Sequence, residues 1–285
     1  MLITLEAVAP TARAGAAPGP PIGALFQYQL STGPQGPGGI DLNVCATGAR
    51  GPCHHPTIFD IDLDGPNGTT PNAAAVRAIH ARGDYAICYV DAGTWERWRP
   101  DARLFPARLR GRPNGWPGER WLDIRAVGTL MPIMARRVAR CASAGFDAVD
   151  FDNVDGYANV TGFPLTPADQ LRYNRGLAAL AHRDHLAVGL KNDLGQVAEL
   201  EPVFDFAIDE QCVAYHQCPE LAPFVRAHKA VYDVEYTGSL ARDCAAGLSA
   251  GVSVILKSRA LGAVPWRPCL LRLPRPRSTA ARRAT

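Results

Sequence analysis

Asp150-Phe151-Asp152-Asn153-Val154-Asp155-Gly156 is the stretch whose reading decides the fold. It ends a buried β-strand with three carboxylates. Charge is costly inside a strand, but at the C-terminal ends of parallel barrel strands it builds active sites. A second such strand, Phe204-Asp205-Phe206-Ala207-Ile208-Asp209-Glu210-Gln211, ends in Glu210. Two acids on facing strand ends are the minimum set for cutting a glycosidic bond.

Outward from these two, eight β-like runs are expected, at 24–30, 57–63, 85–93, 148–154, 186–192, 204–211, 229–236 and 253–258. Helical patterns fall between many of them, at 71–82, 127–144, 167–183, 219–227 and 239–250. The third of these follows Thr166, with Pro167 at its first position. This alternation predicts an α/β fold, a single-domain (β/α)8 TIM barrel spanning 24–269. A doubly wound sheet is the alternative, but no Gly-rich phosphate loop follows the first strand.

Period two adds detail. Strands covered on both faces should be nearly all apolar, yet here one parity turns polar. Asp60 and Asp62 alternate with Phe59, Ile61 and Leu63; Asp150 and Asp152 with Val149 and Phe151; Asp233 and Glu235 with Val234 and Tyr236. Gln27 and Gln29 share a parity, and Lys191 and Lys257 add cations. The expected geometry points all of these into one mouth. The bland alternative is an internal salt-bridge network that only holds the barrel together.

The chain has 285 residues, 47% of them hydrophobic, which suffices for one large barrel with a full core. No run of about eighteen apolar residues is present, so no spanning segment is expected. The formal net charge of +3 conceals an asymmetry. From Arg259 onward there are seven arginines and no acid, so without those seven, residues 1–258 carry −4. The basic end, 270–285 with Pro274 and Pro276, reads as a disordered tail, not a nucleic-acid site, and 1–23 as a flexible leader. Cys45 with Cys53, Cys212 with Cys218 and Cys244 with Cys269 suit disulfides in an exported protein, while Cys88 and Cys141 read as buried thiols. Met1 to Glu6 offers no signal sequence, so export implies a truncated or misplaced start.

Several motifs are set aside. Asp60-Ile61-Asp62-Leu63-Asp64-Gly65 imitates a calcium loop, but position twelve is Pro71 and a strand precedes it. Histidine is missing from the strand ends, against a zinc hydrolase. Lys191 or Lys257 as a Schiff-base former needs a low pKa, which crowded acids oppose. Trp95, Trp98, Trp116 and Trp121 are read equally well as sugar-stacking platforms or as core.

Taken together these residues resemble glycoside hydrolase family 114, the endo-α-1,4-polygalactosaminidases, from about 26 to 269. The segments carrying the resemblance are Phe26 to Leu30, Phe59 to Leu63, Cys88 to Gly93, Gly118 to Arg125, Gly145 to Tyr157, Gly189 to Asn192, Asp209 to Cys212 and Val234 to Tyr236. Phe26 and Tyr28 stand where Trp is more often expected. The resemblance implies hydrolysis of α-1,4-linked galactosamine-rich polysaccharide by Asp152 and Glu210, as nucleophile and acid/base by analogy with related α-glycosidase barrels. Substrate contacts are expected from Gln27, Asp60, Asp62, Tyr89, Asp91, Asp150, Asn153, Asp155, Lys191, Asn192, Glu235 and Tyr236. An acidic mouth suits a cationic polymer, and its crowding should raise the pKa of one member of the catalytic pair. No cofactor, metal, nucleic acid or membrane is expected, and the chain should act as a secreted monomer. A silent carbohydrate-binding barrel and a lysine-dependent aldolase are the competing readings.

Overall fold

The computed structural model describes residues 17–47 and 51–270. The leader expected over 1–23 and the tail over 270–285 therefore lie largely outside the described residues. Eight parallel strands pair in chain order: β1 (Phe26–Gln29), β2 (Ile58–Asp62), β3 (Tyr85–Asp91), β4 (Ala148–Asp152), β5 (Ala187–Lys191), β6 (Phe206–Glu210), β7 (Val231–Glu235) and β8 (Ser253–Leu256). One lies within each run expected from sequence. The β8–β1 seam is bridged by the chain after β8. Arg267–Pro268 pairs antiparallel with β8, and the Trp266 indole N–H donates to the Phe26 carbonyl at 2.8 Å.

The helical layer is uneven. It comprises α1 (Ala73–His80), α2 (Val127–Ala144), α3 (Pro167–Arg183), α4 (Val197–Leu200), α5 (Ala222–Arg226) and α6 (Leu240–Ala250). Thr166 and Asp169 form a reciprocal capping box at the start of α3, with Pro167 in the first turn. Between β1 and β2 the Gly- and Pro-rich chain makes a loop with a 3-10 turn and a two-stranded hairpin instead of a helix. A three-stranded antiparallel sheet, Thr94–Glu96, Arg110–Pro113 and Glu119–Leu122, is inserted between β3 and α2.

Two apolar clusters follow from the strand period. Phe59, Ile61, Cys88, Val149, Phe151, Val188 and Leu190 pack outward against the helices. Phe26, Tyr28, Ile58, Ile87, Tyr89, Phe206, Ile208, Tyr232 and Val234 fill the barrel. A Cβ on Gly189 would stand 2.5 Å from the Phe206 ring, so the glycine is what admits that ring. The parity expected from sequence holds for β2 and β4 and is reversed in β1 and β7. There the aromatic residues point inward, and Gln27, Asp233 and Glu235 belong to the other face. Size explains the reversal: the interior takes bulky rings, and the acids of β7 find backbone donors outside. Asp233 accepts from Cys212 N at 3.0 Å, and Glu235 from Val213 N and Ala214 N at 2.9 and 3.1 Å.

The three expected disulfides are present. Cys88 and Cys141 require a correction. They are not thiols but a fourth disulfide, Cα–Cα 6.0 Å, tying β3 to α2 across a separation of 53 residues. Each sits on the apolar stripe of its element, which is why each reads as core.

A bridge closing so long a loop stabilises by about 4 kcal/mol in the chain-entropy view. A Cys88→Ala/Cys141→Ala variant should therefore melt lower by on the order of 10 °C. A non-reducing peptide map of the parent protein should recover the linked pair of peptides; free thiols at both positions would refute the bridge.

Candidate active site

Three neighbouring strands deliver the charged centre: β4 ends on Asp152, β5 on Lys191 and β6 on Glu210. The residue after each has a positive φ: Asn153 at 59°, Asn192 at 50° and Gln211 at 69°. Non-glycine residues seldom adopt this conformation, Asn most readily, and it concentrates at functional sites. Asp152 and Glu210 reach the rim, while Lys191 stays buried between them. The Asn residues also contribute bonds. Asn153 N–H donates to Asp152 Oδ1 at 2.8 Å and its amide to Asp91 Oδ2 at 3.0 Å, while Asn192 Oδ1 accepts from Glu210 N at 3.0 Å.

Lys191 joins the two acids. Its Nζ donates to Asp152 Oδ1 at 3.0 Å and stands 3.3 Å from Glu210 Oε2. Taken together, these two distances cap the Oδ1–Oε2 separation at 6.3 Å. The ammonium is buried and lies 5.8 Å from the Tyr28 ring centroid. Burial opposes its charge, but Asp152, Glu210 and Asp150 outweigh burial and hold the lysine well above its usual pKa. Asp152 behaves reciprocally. Burial pushes its carboxyl up, yet Lys191, the Tyr89 hydroxyl at 2.7 Å and the Asn153 N–H bring it below the usual range. Tyr236 donates its hydroxyl to Glu210 Oε1.

Beneath this triad lie Asp60 and Asp150, both fully buried and without a donor from any described N–H or hydroxyl. Two buried carboxyls side by side disfavour double ionisation, and the charge of Asp150 adds to burial in raising Asp60. Burial and its neighbour push Asp60 well up; burial, only partly offset by Lys191, pushes Asp150 up to about 7.

Above the triad opens a cleft of about 470 Å³. Of the residues expected in the mouth, Asp62, Tyr89, Asp152, Asn153, Glu210 and Tyr236 line it. The others lie beside or below it. Asp60, Asp150 and Lys191 are underneath, Asn192 holds the Glu210 backbone, and Asp91 accepts from Thr94 N at 2.8 Å and from Asn153. Asp155 is raised by burial and by the charge of Asp152. Gln27 accepts from Lys257 at 2.7 Å at the seam and donates to the Ala263 carbonyl at 3.0 Å, and Glu235 binds the loop after β6. Lys257, lowered to about 7 by burial, is thus taken up at the seam with Gln27 and the Gly262 carbonyl at 2.7 Å. Neither lysine meets the Schiff-base requirement of an available amine at the cleft.

Sequence reasoning left out Tyr28, Glu96, Arg99, Glu119 and Arg259 as site residues and left Trp98 and Trp116 open between sugar stacking and core; all of them line the cleft. Most come from the insertion after β3, whose residues follow no barrel period. Arg259 was counted with the basic tail, but it lies 4.7 Å from the Tyr236 ring and donates to Gln211 Oε1 at 2.9 Å. The tryptophans divide. Trp121 is 7% exposed and Trp95 packs against the core, whereas Trp98 and Trp116 are 48% and 51% exposed on the cleft.

The Asp60–Asp150 pair gives a pH test. A carboxyl whose pKa is raised on folding stabilises fully below its unfolded value, about 3.9, and loses that contribution as pH rises to its folded value. For Asp150 the window closes at about 7. Asp60→Asn keeps a donor for Asp150 and deletes the neighbouring carboxyl. Its Tm relative to the parent should rise between about pH 4 and pH 7; a flat difference would mean the pair takes up no proton on folding.

The model of glycoside-hydrolase family GH114 matches residues 6–269. A search of curated proteins returns no match. Among solved structures, the Aspergillus fumigatus Ega3 complex with galactosamine aligns with a TM-score of 0.72 at 28% identity, covering 90% of this chain and 98% of that one. The glycoside hydrolase domain of PelA from Pseudomonas aeruginosa aligns with a TM-score of 0.61 at 14% identity, covering 85% and 97%, a likeness of fold. With the family match running from before β1 to Cys269, past the last strand, the chain belongs to glycoside-hydrolase family GH114 and is a glycoside hydrolase.

Proposed function

We propose that the chain is an exported, endo-acting hydrolase of α-1,4-linked galactosamine-rich polysaccharide that works with retention, Asp152 as nucleophile and Glu210 as acid/base. The observation that carries this reading is the Lys191 bridge, which holds one oxygen of Asp152 and one of Glu210 on a single ammonium, at 3.0 and 3.3 Å, and so favours the closer carboxyl spacing. Retaining pairs stand about 5–5.5 Å apart and inverting pairs about 6.5–9.5 Å. The low pKa of Asp152 supports its part, since a nucleophile must be ionised. Glu210 lines the same cleft and is the second carboxyl available to protonate the leaving oxygen.

In the first step Asp152 bonds to the anomeric carbon while the carbon–oxygen bond to the leaving sugar breaks. The proton of Glu210 passes to that oxygen. In the second step Glu210 removes a proton from water, whose oxygen attacks the anomeric carbon and releases Asp152. Lys191 steadies the carboxylate before attack and after release.

The substrate class is supported by two things. Ega3, 28% identical, is described in complex with galactosamine. The cleft of this chain is lined by Asp62, Glu96, Glu119, Asp152 and Glu210 against Arg99 and Arg259, a balance that favours a cation. Four disulfides support an oxidising compartment. Among the described residues no helix is long and apolar enough to cross a membrane. A silent binding barrel is the less supported reading, because both acids sit at an open cleft, bonded to Lys191, Tyr89 and Tyr236.

Reducing-end release from de-N-acetylated galactosaminogalactan tests the reading. Asp152→Asn and Glu210→Gln should each lower kcat by at least about a hundredfold, and release should weaken with added salt. Parent and Asp152→Asn behaving alike would end the enzyme reading. Proton NMR of the first product should show the α-anomer; a β-anomer would make the enzyme inverting.

A further inference from the structure

We propose that Glu119 selects a free amine over an acetamide on the substrate sugar. The proposal rests on the galactosamine reading and deepens it. It comes from asking which cation each carboxylate of the cleft already has. Asp152 and Glu210 share Lys191. Asp62 accepts both terminal nitrogens of Arg99, at 2.6 and 2.7 Å. Glu96 takes Arg99 Nε at 2.7 Å and stands 3.5 Å from Arg137. Arg259 is directed to Gln211 and the Tyr236 ring. Glu119 lines the same cleft and has no cationic partner among the described residues. Its Oε2 accepts from the Asn114 amide at 2.5 Å and, more distantly, from the Thr94 hydroxyl at 3.4 Å.

Its surroundings are acidic: carboxylate oxygens of Asp91, Glu96 and Glu119 all lie within 4.8 Å of one another. Burial, with the charges of Glu96 and Asp152 outweighing the Asn114 bond, pushes Glu119 up to about 7. A substrate ammonium would relieve this; a neutral acetamide would not. The side chain is also held in place. Glu119 begins a strand paired with Thr94–Glu96, and Asn114 Oδ1 accepts from Trp116 N at 3.0 Å. That leaves the exposed Trp116 indole beside the acid, an apolar surface for the C–H face of the sugar whose amine Glu119 reads. Glu119 and Asp152 line the same cleft, which puts that sugar in the cleft where the bond is cut.

Glu119→Gln tests this, since the amide oxygen can still accept from Asn114 and the fold is kept. On fully de-N-acetylated polymer KM should rise about tenfold or more, the value of a charged hydrogen bond, with kcat within a few-fold. The preference over partly acetylated polymer should shrink. Calorimetric binding of free galactosamine should weaken, and binding of galactose should not. An unchanged preference and unchanged galactosamine binding would overturn the proposal, as would a fall in kcat on both polymers at constant KM. A parent protein that cleaves neither polymer would sink the proposed function instead; the binding comparison then still decides the part played by Glu119.

Discussion

The buried ammonium of Lys191 is the constraint on which the rest of the site depends. Two carboxylates on the ends of β4 and β6, the strands flanking β5, would repel each other and favour taking up a proton. A cation between them reverses that tendency. Breaking such a group by removing one member costs more than the group contributes as a whole, because the remaining charges stay buried. The three strand ends must therefore keep their register. That register comes from the parallel ladder and from the packing below it, where Gly189, two residues before Lys191 on β5, makes room for Phe206 of β6. Asp60 and Asp150 lie one layer down and extend the same balance. One lysine cannot neutralise four acids, and burial pushes Asp60 and Asp150 towards their protonated forms.

Much of this was legible in the sequence, and the parts that were not share a cause. A period of two shows that a strand has two unlike faces; it does not say which is inside. For β2 and β4 the acids lie inward, as expected. For β7 the same alternation has the opposite meaning, because Tyr232, Val234 and Tyr236 fill the barrel better than their neighbours and the loop after β6 offers N–H groups to Asp233 and Glu235. Polar residues on a barrel strand thus have two stable destinations, the mouth and the outer loops, and strand pattern alone does not separate them. Cys88 and Cys141 illustrate the same limit at longer range. Apolar periodicity placed each on the buried face of its element, but the pairing depends on how α2 lies on β3, which no local pattern encodes.

The rim of the cleft was hidden for a different reason. Glu96 and Glu119 come from a small antiparallel sheet inserted after β3, and Trp98, Arg99 and Trp116 from its connecting turns; the strands carry too few residues for a face to be read and the turns have no period at all. The tryptophans could be read two ways because an indole serves core and sugar stacking equally well. What separates Trp116 from Trp121 is the turn at 116–119, which puts the first on the cleft and the second under the sheet. Loops set on a rigid scaffold commonly carry specificity, and here the scaffold is itself a β-hairpin extension.

The acids of the site divide according to where their counter-charge comes from. Asp152 draws on a cation built into the barrel, Lys191, which favours its ionised form before any ligand arrives. Asp62 and Glu96 draw on Arg99, which commits them to the wall. Glu119 has only neutral donors, and its charge is opposed by burial and by Glu96 and Asp152. A site that neutralised every carboxylate internally would bind neutral and amino sugars about equally. Leaving one acid unpaired lowers the stability of the empty cleft, and that deficit is recovered only by a ligand bearing positive charge.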